Sequence, residues 1–219
     1  MSTSVKVFAS TDPGALVLSG TAGALSTLLK TYLVDGRGSG AVATLTVAAG
    51  IATATYGSGH PFAVGRVGEF TGATPAGLNG QKRILSVATN SVTFDATGIA
   101  DGAATGSITS KLASAGWQQV FSATNITCLK PTVPEATGCV LRVDDTDATN
   151  ARVRAYEAMT DASTGVGPTP LESQLAGGLY WPKSSAASAL ARTWYLVADE
   201  RGFYLAVAPA GSDRYTLLY

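Results

Sequence analysis

The sequence carries little charge and no excess of either sign. Its 219 residues include 15 lysines and arginines and 15 aspartates and glutamates, so the formal net charge at pH 7 is zero. No block rich in lysine or arginine is present, which gives little support to nucleic-acid binding by phosphate neutralisation or to a polybasic membrane anchor. Because a neutral chain repels its own copies only weakly, the composition favours protein partners, copies of itself included.

Histidine and cysteine are scarce as well. His60 is the only histidine, and no second histidine exists with which it could share a metal ion. Cys128 and Cys139 could form a bridge across a hairpin or remain two buried reduced thiols. Two cysteines alone define neither a disulfide framework nor a zinc site. The sequence therefore predicts no cofactor.

Long hydrophobic runs are missing. The N-terminal MSTSVKVFAS has neither the basic nor the apolar region of a secretory signal. The longest weakly apolar run, GAVATLTVAAGIATA, is too short and too rich in threonine and glycine to cross a bilayer. These features predict a protein without membrane contact that is made in a cytosol-like compartment, and is kept there or built into something assembled there.

Glycine, threonine and valine are abundant and fall into short alternating patterns. The stretches VATLTVAAGIATATY, QKRILSVATNSVTFDA and RTWYLVADERGFYLAVAP predict hairpins. One helix is expected at about residues 21–34, with Ser19 or Thr21 as its N-terminal cap. It is predicted from leucines at helical spacing: Leu25, Leu28, Leu29 and Leu33.

The predicted fold class is mainly β, with a split sandwich-like or barrel-like domain that carries the helix and a small all-β domain inserted into it. We expect a discontinuous anchoring domain from residues 1–36 and 113–219, because the N-terminal piece is too small to fold alone. Residues 37–112 would form the inserted all-β module. The segments GRGSG and LASAG suit the two junctions, since exposed glycine-rich turns tolerate insertions.

Several acidic side chains cluster in the segment RVDDTDATN. Asp144, Asp145 and Asp147 offer the hard oxygen ligands that calcium prefers. The segment lacks the glycine and the distal glutamate of an EF-hand, and a turn between two strands accounts for the same residues without a metal. The three aspartates are therefore weak calcium candidates.

No residue is nominated as catalytic, so we expect a structural or binding module and not an enzyme. His60, which precedes a proline, is interpreted as a turn residue because no cysteine or aspartate lies close to it in sequence. The aromatic residues Tyr180 and Trp181 are candidates for an interface or for stacking on a sugar or a receptor, with a place in the core as the alternative.

A string of turn motifs resembles a known family. The segment HPFAVGRVGEFTGATPAGLNGQKRILSVATNSVTFDATGIADGAATGSITSK resembles a small Ig-like or barrel-like β-module that recurs in virion proteins of tailed bacteriophages. The motifs of that module are GH-x-F-x-V-G, GATP-x-x-LNG and a final G-x-ATGTIT, and this chain carries them as GHPFAVG, GATPAGLNG and GAATGSIT. One departure is that Arg66 or Gly68 stands where an acid usually follows the VG pair.

The flanking segments, among them GWQQVFSATN and GGLYWPKSSAASALARTWYLVADERGFYLAV, resemble uncharacterised structural proteins of phages and prophages. The resemblance implies a component of the virion, assembled in the host cytoplasm and repeated as a homo-oligomer that contacts other virion proteins. It leaves open whether the protein lies in the tail, in the baseplate or on the capsid. A decoration protein or a binder of host-surface glycans or receptors is the alternative.

Overall fold

The computed structural model describes residues 2–211 and 215–218. Strands account for 44% of the chain and helical turns for 7%. The curled sheets, together with a single α-helix among the described residues, confirm the predicted fold class. The chain divides into two compact units, which we name the module unit (residues 2–15 and 36–114) and the helix unit (residues 16–35, 115–211 and 215–218).

The module unit is an antiparallel β structure. Its inward positions carry apolar side chains such as Leu45, Val92 and Phe94, and the positions between them carry threonine and serine, as expected when one face of each strand is buried. All strands but the first join one sheet, in the order β2-β9-β5-β6-β7-β4-β3-β8. The strands are β1 (Lys6–Ala9), β2 (Arg37–Ala41), β3 (Thr44–Ala48), β4 (Ile51–Thr55), β5 (Val67–Thr71), β6 (Gly80–Ala88), β7 (Ser91–Asp95), β8 (Gly102–Ala103) and β9 (Thr109–Leu112), with a short 3-10 helix at Ala76–Leu78.

Residues 2–15 cluster with the module unit, whereas the predicted discontinuous domain includes residues 1–36. Arginines of the inserted segment hold this stretch. Arg66 binds the buried carboxylate of Asp12 at two points, with Nε 2.9 Å from Oδ2 and Nη2 2.8 Å from Oδ1. Two further arginines donate to backbone carbonyls of the stretch: Arg83 to Ser2 and Val5, and Arg37 to Pro13 and Gly14.

Replacing Arg66 by lysine is expected to lower the free energy of unfolding of the module unit by about 1–3 kcal/mol, because an ammonium cannot reproduce the two-point bond to a nearly buried carboxylate. Urea unfolding followed by far-UV circular dichroism measures the loss. Tryptophan fluorescence should change little, since all three tryptophans lie in the helix unit. Arg201→Lys, on an exposed turn, is the control; an equal effect there would contradict the prediction.

Three of the turn motifs meet at one place in the module unit. The side chain of Asn79, from LNG, accepts the N–H of Ala73, from GATP, at 2.8 Å and donates to the carbonyl of Ala73 at 2.8 Å. Thr74 and Thr105, the latter from ATG, exchange backbone hydrogen bonds of 2.8 and 2.9 Å. We name this contact of GATP, LNG and ATG the motif lock. It joins segments of the chain that have up to three strands between them, β6, β7 and β8.

Two glycines are required where the motif lock closes. Gly72 and Gly106 have φ angles of 80° and 110°, in the region that side chains disfavour. A Cβ atom on either residue would lie 2.1 Å from a backbone carbonyl oxygen of the facing segment. Glycine is therefore required at both positions for steric as well as conformational reasons.

The helix unit combines the α-helix with two larger antiparallel sheets. One sheet has the strand order β10-β11-β12-β13-β16, the strands β17, β18 and β19 pair side by side, and β14 with β15 forms a small hairpin. The elements are α1 (Ala24–Lys30) with a π-helical turn at Thr31–Asp35, β10 (Gln118–Ala123), β11 (Ile126–Lys130), β12 (Val140–Asp144), β13 (Asn150–Tyr156), β14 (Ala158–Met159), β15 (Gly165–Val166), β16 (Leu179–Pro182), β17 (Thr193–Ala198), β18 (Phe203–Ala208) and β19 (Thr216–Leu218).

The helix lies within the predicted segment, but its predicted cap was wrong. The four leucines at helical spacing are fully buried, as the pattern indicates. The side chains of Ser19 and Thr21 hydrogen-bond to each other, and neither side chain caps the helix. The N–H groups of Leu25 and Ser26 instead bind the carboxylate of Asp145, at 2.7 and 3.1 Å. A cap that is more than a hundred positions away leaves no local sequence signal.

Candidate functional site

The two aromatic candidates, Tyr180 and Trp181, lie side by side on β16 but point to opposite faces of the strand. Tyr180 is 59% exposed, whereas Trp181 is 5% exposed. The indole ring of Trp181 meets the ring of Phe203 edge-on, with the two centroids 6.1 Å apart. Of the two, Tyr180 is available to a ligand or partner, and Trp181 belongs to the core.

Tyr180 is held by a guanidinium group. The Cζ atom of Arg152, on the neighbouring strand β13, lies 3.6 Å from the centre of the Tyr180 ring. The same guanidinium donates to the carbonyls of Ala176, Gly177 and Gly178, which fixes its position. The result is an aromatic ring with one face on a cation and a large part of its surface open to solvent.

A second arginine of β13 anchors the segment beside this ring. Arg154 Nη2 donates to Glu172 Oε2 at 2.6 Å and to the carbonyl of Leu175 at 3.1 Å. Glu172 also accepts the N–H of Gly177. The hydrogen bond from Arg154 and that from Gly177 hold the pKa of Glu172 below its usual value. Tyr180 and Arg152 therefore form a fixed surface, which we name the Tyr180 surface.

The aspartates of the calcium candidate have separate protein partners. Asp145 is fully buried and accepts hydrogen bonds from the ammonium of Lys183, itself fully buried, and from the helix N-terminus. Lys183 also donates to the carbonyl of Thr21 at 2.7 Å. Burial raises the pKa of Asp145, and the Lys183 ammonium and the two amides oppose that rise. The cation that this carboxylate binds is supplied by the chain itself.

The other two aspartates close their own turns. Burial would raise the pKa of Asp144, but hydrogen bonds from Thr146 and Arg142 outweigh it and lower the pKa. Amides of Asn150 and Thr149 bind Asp147 and lower its pKa. Across residues 2–211 and 215–218, no group of three or more His, Cys, Asp or Glu side chains is placed to hold a metal ion.

His60 takes part in a local aromatic cluster in the module unit. Its Nδ1 accepts the N–H of Phe62 at 3.3 Å, and its Nε2 donates to the carbonyl of Ala88 at 2.8 Å, so this pairing requires the proton on Nε2. The ring lies 5.4 Å from that of Tyr56 and 5.8 Å from that of Phe62. Its two nitrogens thus join the loop to the end of β6.

Replacing His60 by phenylalanine removes both hydrogen bonds of the ring and is expected to lower the free energy of unfolding of the module unit by about 1–3 kcal/mol, at a net value of about 0.5–1.5 kcal/mol for each bond. The aromatic contacts would be kept. His60→Ala should have a larger effect because it removes the ring contacts too. Urea unfolding followed by far-UV circular dichroism compares the two variants, and an equal loss in both would contradict this division of roles.

The two cysteines are free thiols. Cys128 is buried on β11, and burial raises the pKa of its thiol, which leaves it protonated and unreactive at neutral pH. Cys139 is partly exposed and precedes β12. Neither thiol has a neighbouring group that activates it among the hydrogen bonds of the described residues.

Sequence reasoning missed an exposed apolar face in the helix unit. The segment RTWYLVADERGFYLAVAP forms the predicted hairpin β17–β18, but the alternation that predicts a hairpin does not say what its outward positions carry. From Tyr195 to Val197 and from Tyr204 to Ala206, the outward positions are apolar, as the inward positions are. This apolar pattern on both faces was the sequence signal from which the exposed face could have been found. Two exposed residues of the following segment continue the pattern, Leu217 on β19 and Tyr215 just before it. We name the whole set the tyrosine face: Tyr195, Val197, Tyr204, Tyr215 and Leu217.

Comparisons with known proteins give no relative from which a role could be transferred. No protein-family model, curated protein or solved structure matches the chain. Within the part of the chain that the structure describes, no helix has the length and apolar character needed to span a membrane.

Proposed function

We propose that this protein is a structural component of a tailed-bacteriophage virion, a repeated subunit that contacts other virion proteins in the tail, in the baseplate or on the capsid. The observation that carries the proposal is the motif lock. The residues that make the sequence resemble the phage β-module, in GATP, LNG and ATG, are those that bind one another in the fold. Each motif therefore has a role in holding the fold together. Separate short strings that matched by chance would not be expected to have such a role.

The chemistry of the chain agrees with a scaffold role. The net charge is zero and only 14% of residues are charged, so copies can approach one another closely. The carboxylates of Asp145 and Asp147 and the ring of His60 are engaged in the helix cap, in a turn and in the aromatic cluster. We propose no catalytic role and no cofactor.

Mass spectrometry of purified particles tests the proposal. Particles produced from a genome that carries this gene would be banded by density and their proteins quantified against the major capsid protein. We expect the chain at a fixed ratio in particles from repeated preparations. Presence in the lysate combined with absence from banded particles would contradict a virion role.

The Tyr180 surface favours a second candidate, a host-surface binding role. An exposed ring fixed over a guanidinium can stack on a sugar ring, or accept an aromatic or acidic group of a receptor. This role is compatible with a place in the virion, where the protein would be a decoration or tip component. It would use Tyr180 and Arg152, whereas Trp181 lies beneath the surface.

In that second role, Tyr180→Ala is expected to slow adsorption of particles to host cells by about tenfold or more, the effect of losing one central contact. Particles should still assemble, because the side chain is exposed. Tyr180→Phe keeps the ring over Arg152 and is the matched control, with near-normal adsorption. Adsorption rates and particle yields measure both effects. Unchanged adsorption by the alanine variant would exclude the Tyr180 surface as a receptor contact.

A further inference from the structure

The strands β17, β18 and β19 present apolar side chains on both faces. Trp194, Leu196 and Leu205 fill the inward face and are fully buried. The outward face is the tyrosine face, whose five side chains are between 39% and 58% exposed. It also holds three of the four exposed aromatic residues among the described residues, the fourth being Tyr180, so exposed aromatic surface is concentrated here.

The tyrosine face is continuous across the three strands. Val197 is the cross-strand partner of Tyr204, and Ala206 lies between Tyr195 on one side and Leu217 on the other. The ring of Tyr215 lies 5.8 Å from that of Tyr195. Adjacent side chains on one face of a sheet interact directly, and these therefore form one patch and not scattered single residues.

The module unit shows what an outward face of this chain looks like when it meets water. In its hairpin β3–β4, two of the three outward cross-strand pairs are threonines, Thr44 with Thr55 and Thr46 with Thr53, and the third pair, Ala48 with Ile51, lies next to the turn. One face of an antiparallel sheet commonly carries such polar residues. The same chain thus places mainly threonine on one outward sheet face and mainly tyrosine, valine and leucine on another, and this larger apolar patch is typical of a contact surface.

We propose that the tyrosine face is an interface between two copies of this chain. Half-exposed tyrosines, a valine and a leucine offer about 450 Å² of side-chain surface. Two such faces in contact would bury about 900 Å², and the rim would bring the total to the roughly 1,000 Å² that a specific interface needs.

A second copy is the occupant that these features favour. The outward positions of the three strands carry no charged side chain within the described residues, so none of these strand positions selects a partner of opposite charge. The zero net charge removes long-range repulsion between copies. An interface with two-fold symmetry brings the same patch of both subunits together, and each copy supplies an apolar patch of matching size. The inference that the partner is a second copy rests on the proposed function, in which the protein is a repeated subunit.

Sedimentation velocity on the full chain over a range of concentrations tests the interface. The unmodified chain is expected to show a reversible dimer. The double variant Val197→Lys with Tyr204→Glu places an opposite-charge pair on partner positions, which the sheet tolerates, and should raise the dimer dissociation constant at least about tenfold. Thr46→Lys with Thr53→Glu makes the same change at an outward cross-strand pair of β3 and β4 in the module unit and should leave the dissociation constant unchanged.

A milder variant covers the case in which the charged pair disturbs folding. Val197→Thr with Tyr204→Thr keeps strand-forming residues and removes most of the apolar surface, so it should weaken the dimer in the same direction. Circular dichroism spectra that match the unmodified chain establish that each variant is folded.

Three results would overturn the proposed interface. They are a chain that stays monomeric at all concentrations, a dimer that folded variants of the tyrosine face do not weaken, and a monomer whose tyrosine face binds phosphatidylcholine vesicles or another virion protein instead. A monomer that is present in banded particles would overturn the interface and leave the virion role intact. A chain that dimerises through this face but is absent from particles would overturn the virion role and leave the interface intact.

Discussion

Replacing Lys183 by methionine is expected to lower the free energy of unfolding of the helix unit by about 3–5 kcal/mol, because it leaves the carboxylate of Asp145 buried without its cation. Both side chains of the pair are fully buried. The same carboxylate caps the α-helix through Leu25 and Ser26, so the helix start is weakened with it. Urea unfolding followed by tryptophan fluorescence measures the loss, since every tryptophan lies in this unit.

Two further variants separate the buried charge from the loss of side-chain volume. Asp145→Asn combined with Lys183→Met removes both charges and keeps an oxygen for the helix amides. It should recover most of the lost stability, as neutral replacements of buried pairs often do. Lys30→Met breaks the exposed pair with Asp35, whose side chains are 41% and 45% exposed, and should change stability by less than about 1 kcal/mol. A double variant as unstable as Lys183→Met alone would contradict the charge explanation.

The effect of Lys183→Met is expected to grow as the pH rises. Burial already raises the pKa of Asp145 in the folded protein, and loss of the ammonium raises it further. A raised carboxyl pKa contributes stability below the unfolded value of about 4, and that contribution is lost as the pH rises through the folded value. Unfolding measured at pH 4 and pH 8 should therefore show the smaller loss at pH 4. A loss that is independent of pH would mean that Asp145 does not titrate in this range.

Replacing Trp181 by alanine is expected to lower the free energy of unfolding of the helix unit by about 3–5 kcal/mol, the usual effect of deleting a large aromatic side chain from a core. The ring is 5% exposed and meets Phe203 edge-on. The neighbouring Tyr180→Ala change should lower stability by no more than about 1 kcal/mol, because it removes an exposed ring and its contact with Arg152. Urea unfolding followed by the fluorescence of Trp117 and Trp194 compares the two variants.

This pair of adjacent variants decides how particle experiments on the two residues are read. If Trp181→Ala destabilises the unit as expected, a loss of infectivity in that variant reports misfolding and says nothing about a receptor. Tyr180→Ala is then the variant that reports on surface contact. Similar stability losses from the two changes would contradict the assignment of one ring to the core and the other to the surface.

The sequence was informative wherever a local rule governs the structure. Alternation of apolar residues with threonine predicted the hairpin β3–β4, and leucine spacing predicted the helix. Proline next to His60 and the neighbouring glycines predicted a turn, and the histidine joins that loop to β6 by its hydrogen bond to Ala88. In each case the determining neighbours lie within a few residues along the chain.

What the sequence determined by itself is the fold class, the strand and turn pattern, and a neutral surface with little charge. Tertiary structure alone decided which candidate side chains share a site. Asp145 became a helix cap paired with Lys183, Trp181 entered the core while Tyr180 stayed outside, and Arg66 bound Asp12. The physical reason is range: strand and helix periodicity act between near neighbours, whereas a buried charge is neutralised by whatever partner the folded chain brings to it.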